Sequence, residues 1–306
     1  MLVAEGLKKS YGCRRALDGF DLAVQAGEVA GLVGHNGAGK TTFVEVATAL
    51  VRPDAGRVSI AGIDALRDPL AARKLLGVAP QEQALYVSAT VRDNLRLFGA
   101  LAGLHRRELR HSIGEVAEEL RLTSVLDQRV GLLSGGQRRR VQAATAMIGN
   151  PVLLLLDEPT AGADPETRAA LLAAVTRRAA SGAAVVYTTH YLPELAELGA
   201  TLAVARDGRV IARGSQHSLL NGLPGELRLR FAAGDARDDH PSLPPELADR
   251  ARIVAGELRI ASTDAPADLA AVLAAGCAPA SVDVRKADLD DLYRALAAGM
   301  EVAHAA

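Results

Sequence analysis

Residues 34–42 read Gly-His-Asn-Gly-Ala-Gly-Lys-Thr-Thr, and a run of this kind constrains the fold before anything else does. Three glycines within six residues give up side-chain packing; the usual return is a backbone that curls its amides around an anion with no Cβ in the way. The spacing is Gly, four free positions, Gly, Lys and a hydroxyl residue, the pattern of a phosphate-binding loop. Gly34, Asn36, Gly37, Ala38 and Gly39 would cradle the phosphates. Lys40 would bring a point charge, Thr41 a hydroxyl for a magnesium ion, and Thr42 continues the row. In a shuffled chain of this composition the pattern arises on the order of a few times in a thousand. The flanks agree with it: residues 28–33 form a short apolar run suited to a buried strand, and residues 40–51 read as a helix whose N-terminus faces the phosphates.

Such a loop needs a sheet behind it, and 306 residues are enough for one large domain and a modest second one. Strand-like and helix-like patterns alternate to about residue 215, which predicts an α/β domain with a mostly parallel sheet. About residues 90–150 are dominated by helical periodicity and read as a helical subdomain inserted into it. Asp207-Gly208, between apolar runs at 202–206 and 209–213, is a strong hairpin signal, and it closes a first domain placed at 1–221. Residues 222–245 are rich in Gly, Pro and Asp and read as a linker or loop. Beyond them, strand candidates at 227–231, 252–254, 257–261 and 281–285 mix with helices at 266–275 and 288–298, so residues 222–306 are expected to form a small α+β module. Because 49% of residues are hydrophobic and only 3% aromatic, the core should be built from Ala, Leu and Val.

Two further stretches carry chemistry. Val-Leu-Leu-Leu-Leu at 152–156 reads as a fully buried parallel strand, and it delivers Asp157 and Glu158 at its C-terminal end, where ligands of such sheets bind. Asp157 is suited to hold magnesium, and Glu158 to polarise the water that attacks a γ-phosphate. Leu133-Ser134-Gly135-Gly136-Gln137 opens a helix that runs to about residue 148. Ser134 with Gln137 three residues on is a plain capping box, which leaves the paired glycine unexplained. Two glycines in a first helical turn cost roughly 1 kcal/mol each relative to Ala, and close approach of amides to an anion would compensate.

These motifs, in number, order and spacing across about residues 1–215, resemble those of the ATP-binding cassette (ABC) ATPases, a P-loop NTPase family. The resemblance implies further roles. Tyr11 resembles the aromatic that stacks on adenine. Gln81 resembles the Gln that touches magnesium and the attacking water, and His190, at the end of an apolar run, resembles the switch histidine at the γ-phosphate. Ala161-Gly162-Ala163-Asp164-Pro165 resembles the turn that crosses between subunits, with Ala163 where Leu is common and Asp164 kept. By the same resemblance ATP and Mg2+ are the cofactors, and Glu158, His190, Gln81 and Lys40 serve hydrolysis. Two copies face each other, so that each ATP lies between one copy's Lys40 loop and the other's Ser134–Gln137.

One phosphate loop per chain argues against two-cassette translation factors. The absence of a long heptad insertion argues against DNA-repair members. Net charge of −1 gives no polyanion signature, so no nucleic-acid partner is expected. Cys13 and Cys277 show neither metal-ligand spacing nor a framework of pairs. No run of bilayer length and no signal segment stands out, so the chain is expected to be cytoplasmic and peripheral to the membrane through a permease. The tail at 288–296 resembles that of daunorubicin-type multidrug-export subunits. The expectation is thus an ATPase subunit of an exporter, the alternatives being an importer subunit or a nucleotide-gated regulatory module without transport.

Overall fold

The five-residue segments 29–33, 153–157 and 184–188, apolar but for Asp157 and Thr188 at their ends, are buried at every position, as strands covered on both faces must be. A computed structural model describes residues 1–231, 243–288, 291–292 and 294–295. The chain divides into two compact units, Met1–Gln216 and a second beginning at His217.

In the first unit the strands are β1 (Leu2–Tyr11), β2 (Arg14–Val24), β3 (Val29–Val33), β4 (Ala55–Ile60), β5 (Ile63–Asp64), β6 (Leu76–Ala79), β7 (Leu153–Asp157), β8 (Ala184–Thr188), β9 (Thr201–Arg206) and β10 (Arg209–Ser215). The helices are α1 (Lys40–Ala47), α2 (Pro69–Arg73), α3 (Val91–Leu101), α4 (Arg106–Glu119), α5 (Gly135–Met147), α6 (Pro165–Ala180) and α7 (Leu192–Glu197), with α8 (Gln216–Leu220) at the division. A six-stranded sheet has the order β10-β9-β3-β8-β7-β6. Its pairs are parallel except the β9–β10 hairpin, which turns on Asp207 and Gly208 at φ 49° and 75°, values that a two-residue hairpin of this hand requires. Helices α3, α4 and α5 fall in the inserted helical region, with no strand among residues 90–150.

A second, antiparallel sheet, β2-β1-β4-β5, adds to the expected architecture. Its apolar face and that of the parallel sheet enclose one core, including Leu7, Phe20, Phe43, Ile60, Leu153 and Val186, and the Phe20 and Phe43 rings stack at 4.8 Å. The helix expected over residues 40–51 stops at Ala47. The Thr48 hydroxyl donates back to the Val44 and Glu45 carbonyls, and Ala49 turns to φ 53°, so the chain leaves the helix four residues early.

The second unit is an antiparallel sheet of order β12-β13-β11-β14, formed by β11 (Gly225–Arg230), β12 (Ala251–Val254), β13 (Glu257–Ser262) and β14 (Ser281–Arg285), with α9 (Pro245–Ala248) and α10 (Ala265–Ala274). The linker expected over 222–245 therefore contains β11; residues 232–242 lie outside the described residues. So does much of the helix expected at 288–298, of which residues 291, 292, 294 and 295 are helical. Alternation puts Leu227 and Leu229 into a core with Leu247, Leu258, Ile260 and Val272.

On the opposite face Glu226 is buried among four guanidinium groups. Arg252 and Arg228 lie at 2.8 Å, Arg285 at 3.6 Å and Arg259 at 3.9 Å. Burial raises its pKa, but the hydrogen bonds from Arg252 and Arg228 outweigh that and bring it down from 4.5 to about 2. A depressed folded-state pKa contributes stability above the ordinary carboxylate value, and that contribution is lost as pH falls from 4.5 towards 2. Glu226→Gln should lower the melting temperature at pH 7 by roughly 5 °C or more, because it strands the arginines. It should also flatten the acid limb. Thermal melts of the full chain from pH 2 to 7 read both effects, and an unchanged limb would contradict this role of Glu226.

Candidate active site

Parallel strands end together, so the segments that follow β3, β6, β7 and β8 emerge along one edge of the sheet. The registers fix this: Ala79 lies opposite Leu156, and Asp157 opposite Thr188. After β3 comes the phosphate loop, after β6 Gln81, after β7 Glu158, and after β8 Thr189 and His190.

The loop is closed by contacts that demand its residue types. At Gly39, φ is 103°, and a Cβ would lie 2.7 Å from the Ala16 carbonyl. Lys40 Nζ donates to the carbonyls of Gly34 at 2.6 Å and His35 at 3.3 Å, holding its side chain back across the loop. Burial lowers the Lys40 pKa, and the charges of Glu158 and Asp157 oppose that shift. Thr41 Oγ1 donates to Asp157 Oδ2 at 3.3 Å, and Asp157 also accepts from the Thr188 hydroxyl. Thr41 and Asp157 are in contact and Gln81 lines the same cavity, side chains whose oxygens are of the kind a hard cation such as Mg2+ takes. Among the described residues no group of three or more His, Cys, Asp or Glu gathers as a metal site.

Glu158 sits at φ 48°, an unusual backbone for a residue with a Cβ and one that persists only where the surroundings over-determine it. Its N–H donates to the Thr188 hydroxyl at 2.9 Å. Its carboxylate is met from two sides, by Gln81 Nε2 at 3.4 Å and His190 Nδ1 at 3.5 Å.

A cavity of about 540 Å³ is lined by Tyr11, Asn36, Gly37, Gly39, Lys40, Thr41, Thr42, Gln81, Asp157 and Glu158, together with Arg14 and Ala16. Gly34 and Ala38 support the loop from behind, where a Cβ on Gly34 would lie 2.6 Å from the Ala205 carbonyl and 2.9 Å from Ala38 Cβ. Tyr11 is 48% exposed at the end of β1, open to a ring stacking on it. Arg14 is an addition to the sequence-derived set. It follows the turn after Tyr11, and its guanidinium lies where a Cβ on Gly37 would come within 2.8 Å, so a cation stands beside the loop.

The Ser134 group and Asp164 do not line this cavity. Ser134 caps α5 in a full capping box with Gln137, and Asp164 caps α6 by accepting from the Thr167 N–H at 2.8 Å and the Thr167 hydroxyl at 2.9 Å. Those two bonds hold the Asp164 carboxyl below its usual range. The two caps touch: a Cβ on Gly136 would lie 2.6 Å from Asp164 Oδ2. Packing against α6 therefore accounts for Gly136 within the chain, whereas a Cβ on Gly135 would meet nothing within 4 Å.

The ABC transporter family model matches residues 17–161. The daunorubicin resistance ATP-binding protein DrrA2 of Streptomyces coeruleorubidus is 44% identical over 223 residues, covering 73% of this chain and 69% of that protein. The chain belongs to the ABC transporter family. Nod factor export ATP-binding protein I of Rhizobium sp. (strain N33) is 40% identical over 215 residues, 70% of this chain and 71% of that one. Among solved structures, an ATP-binding subunit of an ABC transporter superposes with a TM-score of 0.68 at 29% identity, over 72% of this chain and 91% of that chain. The dimeric cassette MJ0796, in a post-hydrolysis state with ADP and Pi, gives 0.65 at 25% identity, over 70% and 98%. The first unit is thus an ABC ATPase cassette.

Proposed function

We propose that this chain, an ABC ATPase, hydrolyses ATP to ADP and phosphate to energise export through a separately encoded membrane permease. The observation that carries the reading is the convergence on Glu158 of Gln81 at 3.4 Å and His190 at 3.5 Å, with Glu158 and Gln81 lining the same cavity as Lys40. In this reading Tyr11 stacks on adenine, the amides of residues 36–42 and the Lys40 and Arg14 cations bind the phosphates, and Glu158 takes the proton from the attacking water. Gln81 orients that water, and His190 donates towards the γ-phosphate. Thr41, Asp157 and Gln81 would hold Mg2+, which when bound neutralises charge on the β- and γ-phosphates.

The Ser134–Gln137 helix start and Asp164 lie off the phosphate cavity, with the Gly135 side open. That arrangement suits a second copy whose α5 N-terminus, carrying about half a positive charge, faces the γ-phosphate. Export is favoured by the Nod factor export and drug-resistance proteins among the relatives. Among the described residues the second unit is a four-stranded sheet with helices such as α9 and α10 rather than a β-rich barrel, which speaks against an importer's regulatory domain. No helix among the described residues is long and apolar enough to cross a membrane, so the permease would supply the crossing and hold the chain at the cytoplasmic face.

The direct test is phosphate release by the full chain with ATP and Mg2+, alone and with the permease reconstituted in vesicles. Activity should fall to background with EDTA and return with added Mg2+. Hydrolysis indifferent to EDTA would contradict the assignment of Thr41 and Asp157, and no stimulation of transport by ATP would contradict the exporter reading.

A further inference from the structure

A buried carboxylate lies directly behind the site, and none of the steps above uses it. Glu194, on the first turn of α7, is 3% exposed. Its Oε2 accepts from three hydroxyls: Thr160 at 2.8 Å, Tyr187 at 3.0 Å and Thr189 at 3.2 Å. Its Oε1 is 3.2 Å from Arg168 Nε. Burial, with the Glu194 charge added, pushes the Tyr187 hydroxyl well above the ordinary phenol range, so Tyr187 remains a donor. A charge taken this far out of water is costly unless it is paired and hydrogen-bonded on all sides. Packing alone would be served better by an apolar residue of the same volume.

The partners show what the carboxylate gains. Thr160 is two residues beyond Glu158, in the turn that leads to Asp164. Arg168 is on the first turn of α6, which Asp164 caps, and its guanidinium lies 5.1 Å from the Tyr191 ring centroid. Thr189 immediately precedes His190, and its hydroxyl also accepts from the Tyr191 N–H at 3.0 Å. One carboxylate therefore ties the segment carrying Glu158 to the segment carrying His190, and it does so from the side away from the cavity. It also supplies part of the over-determination that the left-handed backbone at Glu158 needs.

We propose that Glu194 is a positioning residue for hydrolysis: through Thr160 and Thr189 it fixes Glu158 and His190 relative to each other. The inference rests on the hydrolytic roles given to those two residues. Misplacement of a reacting group by 1 Å can cost on the order of 10²-fold in rate, so loosening this tie should appear in turnover rather than in nucleotide binding.

Glu194→Gln keeps the shape but replaces an acceptor oxygen with an NH2 group and removes the partner of Arg168. In the full chain, kcat should fall by roughly 10- to 100-fold, while KM and the binding of a fluorescent ATP analogue stay within about threefold of wild type. In a His190→Ala background, with residual hydrolysis followed in long single-turnover runs, the same change should cost less than about threefold, because one of the two groups it holds relative to each other is gone. A purely structural role would lower the melting temperature and leave kcat per folded chain unchanged, or would cost the same factor in both backgrounds; either result overturns the proposal. If Glu194→Gln does not fold, Thr160→Val is read the same way: it removes one donor to Glu194 two residues from Glu158, and a kcat within twofold of wild type overturns the tie. An inactive wild type, or a His190→Ala chain as active as wild type, would instead strike the hydrolytic reading on which the proposal rests.

Discussion

Glu158→Gln should bind ATP with near-wild-type affinity and lose at least about 10²-fold of its steady-state hydrolysis. The groups proposed to hold the phosphates do not depend on this side chain: Lys40 is anchored on the Gly34 and His35 carbonyls and Thr41 on Asp157. Glutamine fills the same volume on the same strained backbone at φ 48°, so the loop has no reason to move. What disappears is the carboxylate held between Gln81 and His190, the group proposed to take a proton from water. Phosphate release and equilibrium ATP binding would be measured on one preparation. Hydrolysis close to wild type would remove Glu158 from the role of base, and loss of binding would show that the substitution damages the phosphate loop.

The parts of the site legible in the sequence are those whose physics is local. The 34–42 loop announces itself because glycine spacing, lysine and hydroxyl must be adjacent to work, and the carboxylates after β7 because a strand buried on both faces reads as an unbroken apolar run. The capping box at Ser134 is likewise a four-residue event. The sheet β2-β1-β4-β5 was not legible for a local reason of its own. Register shifts along β1, between Ala4 and Leu7 and again before Lys8 and Ser10, break the two-residue alternation by which a half-buried strand is recognised.

Other features depend on contacts between distant segments. Gly136 looks like an anion-facing glycine from its position in a first helical turn, yet its Cβ space is taken by Asp164 and Thr167, some thirty residues away in sequence. Arg14 stands beside Gly37 only because β1 and β2 turn back over the loop. Glu194 sits in the sequence as one acidic residue near the start of a short helix, with nothing to distinguish it from a solvated one. Its four partners come from β8, α6 and the two loops that follow β7 and β8, and only the folded sheet edge assembles them.

The central claim is that each hydrolytic site is completed by two chains, Lys40 from one and the Ser134 helix start from the other. Lys40→Ala removes the phosphate cation, and Ser134→Arg places a bulky side chain where the facing γ-phosphate would lie, at an exposed cap whose loss costs the fold only about 1 kcal/mol. Each variant alone should be nearly inactive, since both of its sites carry a defect. In a mixed dimer one site carries both defects and the other carries none. Equal mixing of the two purified full-length variants should therefore restore up to roughly a quarter of wild-type ATPase if the sites act independently, rising with protein concentration. If mixing restores nothing at any concentration, while each variant is folded and the wild type dimerises with ATP, the site is built within a single chain and the shared-site account is wrong.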